Sequence, residues 1–171
     1  NNVNSHKYRI DKDISSDPSS YLLKALDRTT NEVYPHYLQN EKVLEEKDIK
    51  GMSESTRRIL KSVNYDYIMR IRVNNYNYLQ KKLSDLNEFK IVMRNSIPMI
   101  YPLVIKQRNL RRKLVENKIY VSQWWKWILD EGIGNSYEND LSEFLYPLPI
   151  DQRYSEEDME QIVRIVLKIL N

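Results

Sequence analysis

The segment from Ser155 to Leu170 has a regular helical pattern with one apolar face, and it constrains the fold more than any other part of the chain. Ser155 and Asp158 form a capping pair at its start. Acidic residues fill the first turn and Lys168 lies in the last, as the helix dipole favours. Such a stripe must be covered by a second layer, which the rest of the chain must supply. The stripe consists of Met159, Ile162, Val163, Val166 and Leu170.

Four extended segments between residues 89 and 150 are the candidates for that layer. The predicted strands are 89–93, 99–105, 119–123 and 144–150, and a short basic helix over 108–117 precedes the third. Pro102 has no amide hydrogen, so its strand is expected at a sheet edge or at a bulge. This pattern predicts an α+β fold, a small mixed or antiparallel sheet with helices on one face, preceded by a helical connector.

The first half of the chain is predicted to be helical after a polar, irregular lead-in over 1–16. A helix is expected from Asp17 with a break or kink near Tyr34, because Pro35 cannot continue the hydrogen-bond ladder, and a second piece is expected to about Lys47. Ser53 is expected to cap the next helical region, with an interruption at Asn64. The predicted parts are a lead-in and helical arm (1–50), a connector (51–88) and an α+β small domain (89–171).

The composition excludes several classes of site. Three glycines, Gly51, Gly132 and Gly134, cannot assemble a P-loop or a G-x-G-x-x-G fingerprint. The absence of cysteine excludes disulfides and thiolate chemistry, and two distant histidines argue against a metal site or an acyl-transfer triad. We therefore predict no catalytic set and no metal site in this chain. The lack of an apolar run of 18 residues and of a signal peptide favours a cytoplasmic protein with no membrane partner.

Two clusters of side chains are candidate functional sites. Trp124, Trp125 and Trp127 flank Lys126, and three interpretations stay open: packing or an interface, contact with a planar ligand, and a desolvated lysine nucleophile. The run 106–113 carries five positive charges in eight positions. A solvated helix face is the simpler interpretation of that run, and phosphate or nucleic-acid binding is the alternative. A net charge of +3 does not by itself indicate a nucleic-acid partner.

The second half of the chain resembles the C-terminal part of the DegT/DnrJ/EryC1/StrS aminotransferases, which depend on pyridoxal phosphate (PLP). A serine-rich helix start over 52–60 is followed by an R-x-x-N-Y pattern formed by Arg72, Asn75 and Tyr76. Segments 101–105, 108–117 and 119–120 are similar to the family's strand, arginine-containing helix and strand. Segment 146–159 is similar to its terminal strand and the start of its last helix. The loop after the third strand departs from the family, which commonly has a histidine, an aromatic residue and Pro-Leu there.

The resemblance implies the small domain of a fold-type I transferase that aminates a nucleotide-linked keto-sugar. It implies that the cofactor lysine and the acid that pairs with the pyridine nitrogen lie in a large domain, which this chain lacks. We therefore expect no stable PLP binding and no activity by this chain alone, with the large domain as partner and a homodimeric parent. The positions expected to face substrate are Tyr101, Trp124, Trp125, Lys126 and Arg153.

Two other functions stay open at this point. The first is a free-standing, non-catalytic binding module with the same fold. The second is a nucleic-acid binder that uses the basic run and the tyrosines, and its affinity would fall steeply with salt. An isolated small domain is also expected to self-associate through the apolar face that its partner would cover.

Overall fold

The computed structural model describes residues 23–24, 26–45, 51–90, 96–132 and 137–170. The chain divides into two compact units, Asn1–Val63 and Asn64–Asn171. The described residues form seven helices with defined ends and a two-stranded antiparallel sheet, which confirms the α+β class. None of these helices is long and apolar enough to span a bilayer. They are α1 Thr30–Glu45, α2 Glu54–Ser62, α3 Tyr65–Leu83, α4 Leu110–Glu116, α5 Lys126–Asp130, α6 Tyr137–Phe144 and α7 Glu156–Leu170; the strands are β1 Tyr101–Val104 and β2 Leu145–Leu148.

Helix α1 of the first unit begins at a capping interaction. The backbone amide and the hydroxyl of Thr29 donate hydrogen bonds to the Glu32 carboxylate at 2.9 and 2.7 Å, and these bonds lower the pKa of Glu32. The break predicted near Tyr34 is wrong, because α1 continues through Pro35. The chain leaves helical geometry at Arg28 and Thr29 instead, since the cap sets the start of α1 there. The helix start predicted at Asp17 lies outside the described residues.

The cap predicted at Ser53 and the interruption predicted at Asn64 are both confirmed. Ser53 precedes α2, and its Oγ accepts a hydrogen bond from the Thr56 amide at 3.2 Å. Asn64 precedes α3, and its Oδ1 accepts from the Tyr67 amide at 3.0 Å. Side-chain capping of free amides fixes both helix starts. The second compact unit thus begins at Asn64, inside the predicted connector 51–88.

Two prolines face each other in the sheet. β1 and β2 pair antiparallel, with Pro102 opposite Pro147 and Leu103 opposite Tyr146. Opposite residues of an antiparallel pair alternate between hydrogen-bonded and non-bonded pairs, and two prolines have no amide to exchange. The two prolines therefore form a non-bonded pair, and the expected edge position of Pro102 is confirmed for the sheet in the described part of the chain.

Two predicted strands differ from the structure. Phe89 and Lys90 are not in a strand, and Ile91–Met93 lie outside the described residues. Segment 119–123 has the expected alternation, with Ile119 and Val121 buried, but it is not a strand. The backbone carbonyls of Val121 and Ser122 accept hydrogen bonds from the guanidinium of Arg111 rather than from a neighbouring strand. Alternation of buried and exposed side chains is therefore not sufficient to predict that a segment pairs with a strand.

The core of the second unit lies where α3, α7 and the sheet meet. The apolar face of α7 is confirmed, since Met159, Ile162, Val163 and Val166 are buried. From α3, Tyr76, Leu79 and Leu83 pack into the same cluster. The Tyr76 ring lies 5.3 Å from that of Tyr101 in β1, within the range of favourable aromatic pairs.

Candidate functional site

The tryptophan segment, residues 124–127, is held in place by helix α6. The hydroxyl of the buried Ser142 lies 3.0 Å from the carbonyl oxygen of Trp124 and 2.8 Å from that of Trp125. Trp125 adopts left-handed backbone angles, φ 54° and ψ 36°, immediately before α5. A bulky residue rarely adopts this conformation, so contacts such as those of Ser142 must stabilise it.

The segment presents aromatic rings and one cation at the surface. The rings of Trp124 and Trp125 meet edge-on with centroids 5.6 Å apart, and Trp124 Nε1 donates to Ser122 Oγ at 2.8 Å. The exposed fractions of Trp125 and Trp127 are 44% and 56%, and Lys126 is exposed between them. The desolvated-nucleophile interpretation does not fit an exposed lysine. The arrangement suits stacking on a flat ligand or burial under a partner.

Arg153 is already paired within its own turn. Its Nε and Nη2 donate to the two carboxylate oxygens of Asp151 at 2.8 and 2.9 Å, a bidentate pair. The guanidinium also lies 5.7 Å from the ring centre of Tyr154. The Arg153 guanidinium lowers the pKa of Asp151 below its ordinary value of 3.8, and the Asp151 carboxylate raises the pKa of Arg153. Arg153 would have to leave this pair to hold a ligand anion.

Tyr101 lies in the hydrophobic core. Its side chain is fully buried, its ring contacts that of Tyr76, and Asn87 Nδ2 donates to its hydroxyl oxygen at 3.3 Å. Burial raises the pKa of Tyr101. A substrate-facing role for Tyr101 does not fit this position. The five predicted positions thus occupy three settings: the core, the surface of α5, and the turn before α7.

The basic run is largely occupied by contacts within the protein. Lys106 Nζ lies 2.6 Å from Asp140, Arg108 Nε 3.6 Å from Glu143 and Arg112 Nε 3.7 Å from Glu116. Arg111 turns inward, toward backbone carbonyls. These contacts favour the solvated-face interpretation and weaken the case for a phosphate-binding run.

Buried amides organise the second unit, and sequence analysis did not single out their roles. Asn75 is buried, and its Nδ2 lies 3.3 Å from the carbonyl oxygen of Ile150 and 3.1 Å from that of Tyr154. Arg72, on the same helix, donates to the carbonyls of Pro98 and Met99. The R-x-x-N-Y pattern therefore fixes the backbone before β1 and after β2. A polar residue among helical core positions was the available signal.

The surroundings of Lys126 do not fit a PLP site. The cofactor needs an amine beside its aldehyde, donors for its phosphate and an acid at its ring nitrogen. Lys126 is exposed on a five-residue helix between exposed tryptophans. In the described ranges, no group of three or more histidine, aspartate or glutamate side chains is placed to hold a metal ion.

Comparisons of the chain with protein-family models, with curated proteins and with solved structures found no match. The residues and their geometry therefore carry the functional argument.

The pair of Asp151 and Arg153 predicts a pH dependence of stability. Because the pKa of Asp151 is lowered in the folded state, its contribution is complete above the ordinary value of 3.8 and is lost as pH falls through the folded value. Asp151→Asn is expected to lower the free energy of unfolding by about 1 kcal/mol at neutral pH. The difference should disappear in acid, as measured by urea unfolding at several pH values. Asp85→Asn, the same change at an exposed position after α3, is the control; a D151N deficit that persists in acid would contradict the prediction.

Proposed function

We propose that residues 64–171 form the small domain of a PLP-dependent aminotransferase resembling the DegT/DnrJ/EryC1/StrS family. Its role is to cover a nucleotide-linked keto-sugar while a large domain supplies the cofactor lysine. The cofactor, when bound in the parent enzyme, provides the electron sink for amino transfer. The parent is proposed to be a cytoplasmic homodimer.

One observation supports the proposal: the pieces of the resemblance from Arg72 onward meet around one core. Tyr76 of the R-x-x-N-Y pattern packs on Tyr101 of the 101–105 piece. Asn75 of the same pattern holds the backbone of the 146–159 piece at Ile150 and Tyr154. Segments far apart in sequence that meet through named contacts support a common structural unit.

Within this unit, the tryptophan segment is the proposed substrate-covering surface. Exposed indole rings provide apolar area with little loss of conformational entropy, and they exclude water from a ring stacked on them. Lys126 would place a cation beside a phosphate of the nucleotide. Trp125 and Trp127 carry this role because they are the most exposed rings of the segment. Tyr101 contributes only by packing in the core.

The experiment uses both the chain alone and the complete product of the reading frame that contains it. The chain is incubated with PLP, reduced with borohydride and mapped by mass spectrometry; we expect no pyridoxyl group on Lys126. The complete product is expected to transfer nitrogen from an amino-acid donor to a nucleotide-linked keto-sugar. Transamination by the chain alone, a pyridoxyl group on Lys126, or no transfer by the complete product would overturn the proposal.

The covering role is tested in the same assay. Changing both Trp125 and Trp127 to alanine should raise KM for the nucleotide-linked sugar about thirtyfold, since each stacked ring contributes about 1 kcal/mol. Tyr137→Ala, which removes another exposed ring, is the matched control and should leave KM within about twofold. Equal effects of the two changes would contradict a specific role for the tryptophans.

A further inference from the structure

A groove runs along one side of α7 and is separate from the tryptophan segment. It consists of two adjoining cavities of about 200 and 350 Å³, which share Asn117 and Ile165 in their walls. One wall comes from the end of α4 and the residues after it, and the other comes from α7. Ligand pockets in proteins commonly have volumes of about 300 Å³ upwards, so the groove has room for a small organic molecule.

Isoleucine side chains of α7 line both cavities, beside polar groups in the walls. Ile165 lines both cavities, Ile162 lines the smaller one and Ile169 the larger one. Ile165 and Ile169 are only partly buried although they pack against the core. A flat or elongated apolar ligand group that packs on these two side chains would bury their remaining exposed surface, and burial of apolar surface favours binding.

Three lysines also line the groove. Lys113 in the last turn of α4 and Lys168 in the last turn of α7 both line the larger cavity. Lys118, which follows α4 in a left-handed conformation with φ 65°, lines the smaller one. Two ammonium groups at one end match the charge of a phosphate monoester, which carries nearly two negative charges at neutral pH.

The carboxylate of Asp158 does not neutralise the two lysines of the larger cavity. Asp158 lines the smaller cavity, but its Oδ2 accepts hydrogen bonds from the amide and the hydroxyl of Ser155 at 2.7 and 2.9 Å. That carboxylate caps α7 and lies in the cavity that the lysine pair does not line. The larger cavity therefore combines two cations with two isoleucine side chains.

We propose that this groove binds the phosphate monoester of an apolar alcohol, with the phosphate at Lys113 and Lys168 and the apolar body on Ile165 and Ile169. This inference does not depend on the proposed transferase role. It assigns the unit a second ligand site on α7, distinct from the surface of α5.

The test uses 1-naphthyl phosphate with the full 171-residue chain, followed by calorimetry and by backbone amide shifts in NMR spectra. We expect submillimolar binding, with shifts centred on Asn117 and Ile165. 1-Naphthol and inorganic phosphate should each bind at least about tenfold more weakly than the probe. The first keeps only the apolar ring of the probe, and the second keeps only its phosphate. The double variant Lys113→Gln, Lys168→Gln should bind the probe about tenfold more weakly.

The matched control removes the same charge elsewhere. Lys81→Gln with Lys82→Gln, in the last turn of α3 and outside the lining of either cavity, should leave the affinity within about twofold. Circular dichroism of each variant verifies that it is folded. The proposal is overturned if the probe does not bind, if inorganic phosphate binds as tightly, if the control weakens binding equally, or if the shifts centre on the tryptophan segment.

Discussion

Replacing Asn87 with alanine is expected to lower the free energy of unfolding of the second unit by about 3 kcal/mol. The buried amide of Asn87 makes hydrogen bonds in four directions. Its Nδ2 donates to the carbonyl of Pro102 at 2.8 Å and to the hydroxyl of Tyr101 at 3.3 Å. Its Oδ1 accepts from the amides of Phe89 and Val104 at 3.0 and 2.9 Å. Alanine would leave these polar groups buried without their partner, which costs more than the net value of the bonds.

Urea unfolding followed by tryptophan fluorescence measures this loss, because all three tryptophans lie within Asn64–Asn171. Asn74→Ala is the matched control, since Asn74 is exposed on α3 and alanine favours helix. The control should change stability by no more than about 0.5 kcal/mol. If the two variants unfold at the same urea concentration, the bonds of Asn87 are not stabilising the unit.

Replacing Arg111 with methionine is expected to cost about 2–3 kcal/mol. Arg111 Nη2 donates to the carbonyl of Leu145 at 2.9 Å, and Nη1 donates to the carbonyls of Val121 and Ser122. Its guanidinium carbon lies 5.1 Å from the ring centre of Tyr146. Methionine keeps most of the apolar stem but removes the donors and the cation, so the segment before Trp124 loses its attachment to β2.

The neighbouring arginine is the control for this change. Arg112 is exposed, and its Nε lies 3.7 Å from the carboxylate of Glu116, one helical turn away. Arg112→Met should therefore cost no more than about 0.5 kcal/mol. Both variants remove one charge from the basic run, so a difference between them reports on the buried contacts of Arg111. Equal unfolding midpoints would contradict the assigned role.

Asn87 and Arg111 explain how the two-stranded sheet is stabilised. A two-stranded ribbon is marginal in water, because each strand leaves one edge of its backbone unpaired. Along β1, Asn87 bonds the carbonyl of Pro102 and the amide of Val104. Along β2, Arg111 bonds the carbonyl of Leu145. Side chains from the loop after α3 and from α4 thus replace further strands.

The sequence predicted features that depend on neighbouring residues. The caps at Ser53 and Asn64 and the buried face of α7 follow from spacing and from the chemistry of short polar side chains. Pro102 marked a strand edge because it lacks an amide hydrogen. The α+β class followed from these local patterns.

The helix break was predicted at the wrong residue for a local reason. Pro35 does remove one bond from the ladder, but the interaction between Thr29 and Glu32 already fixes a helix start before it. The strand predicted over 119–123 failed for a different reason. Ile119 and Val121 are buried as expected, yet the bonding partner of this segment is Arg111 rather than a strand.

By itself, the sequence determined where helices start, which face of α7 is buried and which residue types are available for chemistry, because these depend on contacts within a few positions. Only the tertiary structure decided which polar groups form hydrogen bonds within the protein. Arg111 and Asn87 find partners brought near by folding, whereas Trp125, Trp127 and Lys168 remain at the surface. Burial and partner distance depend on packing between segments far apart in the chain, which no local pattern specifies.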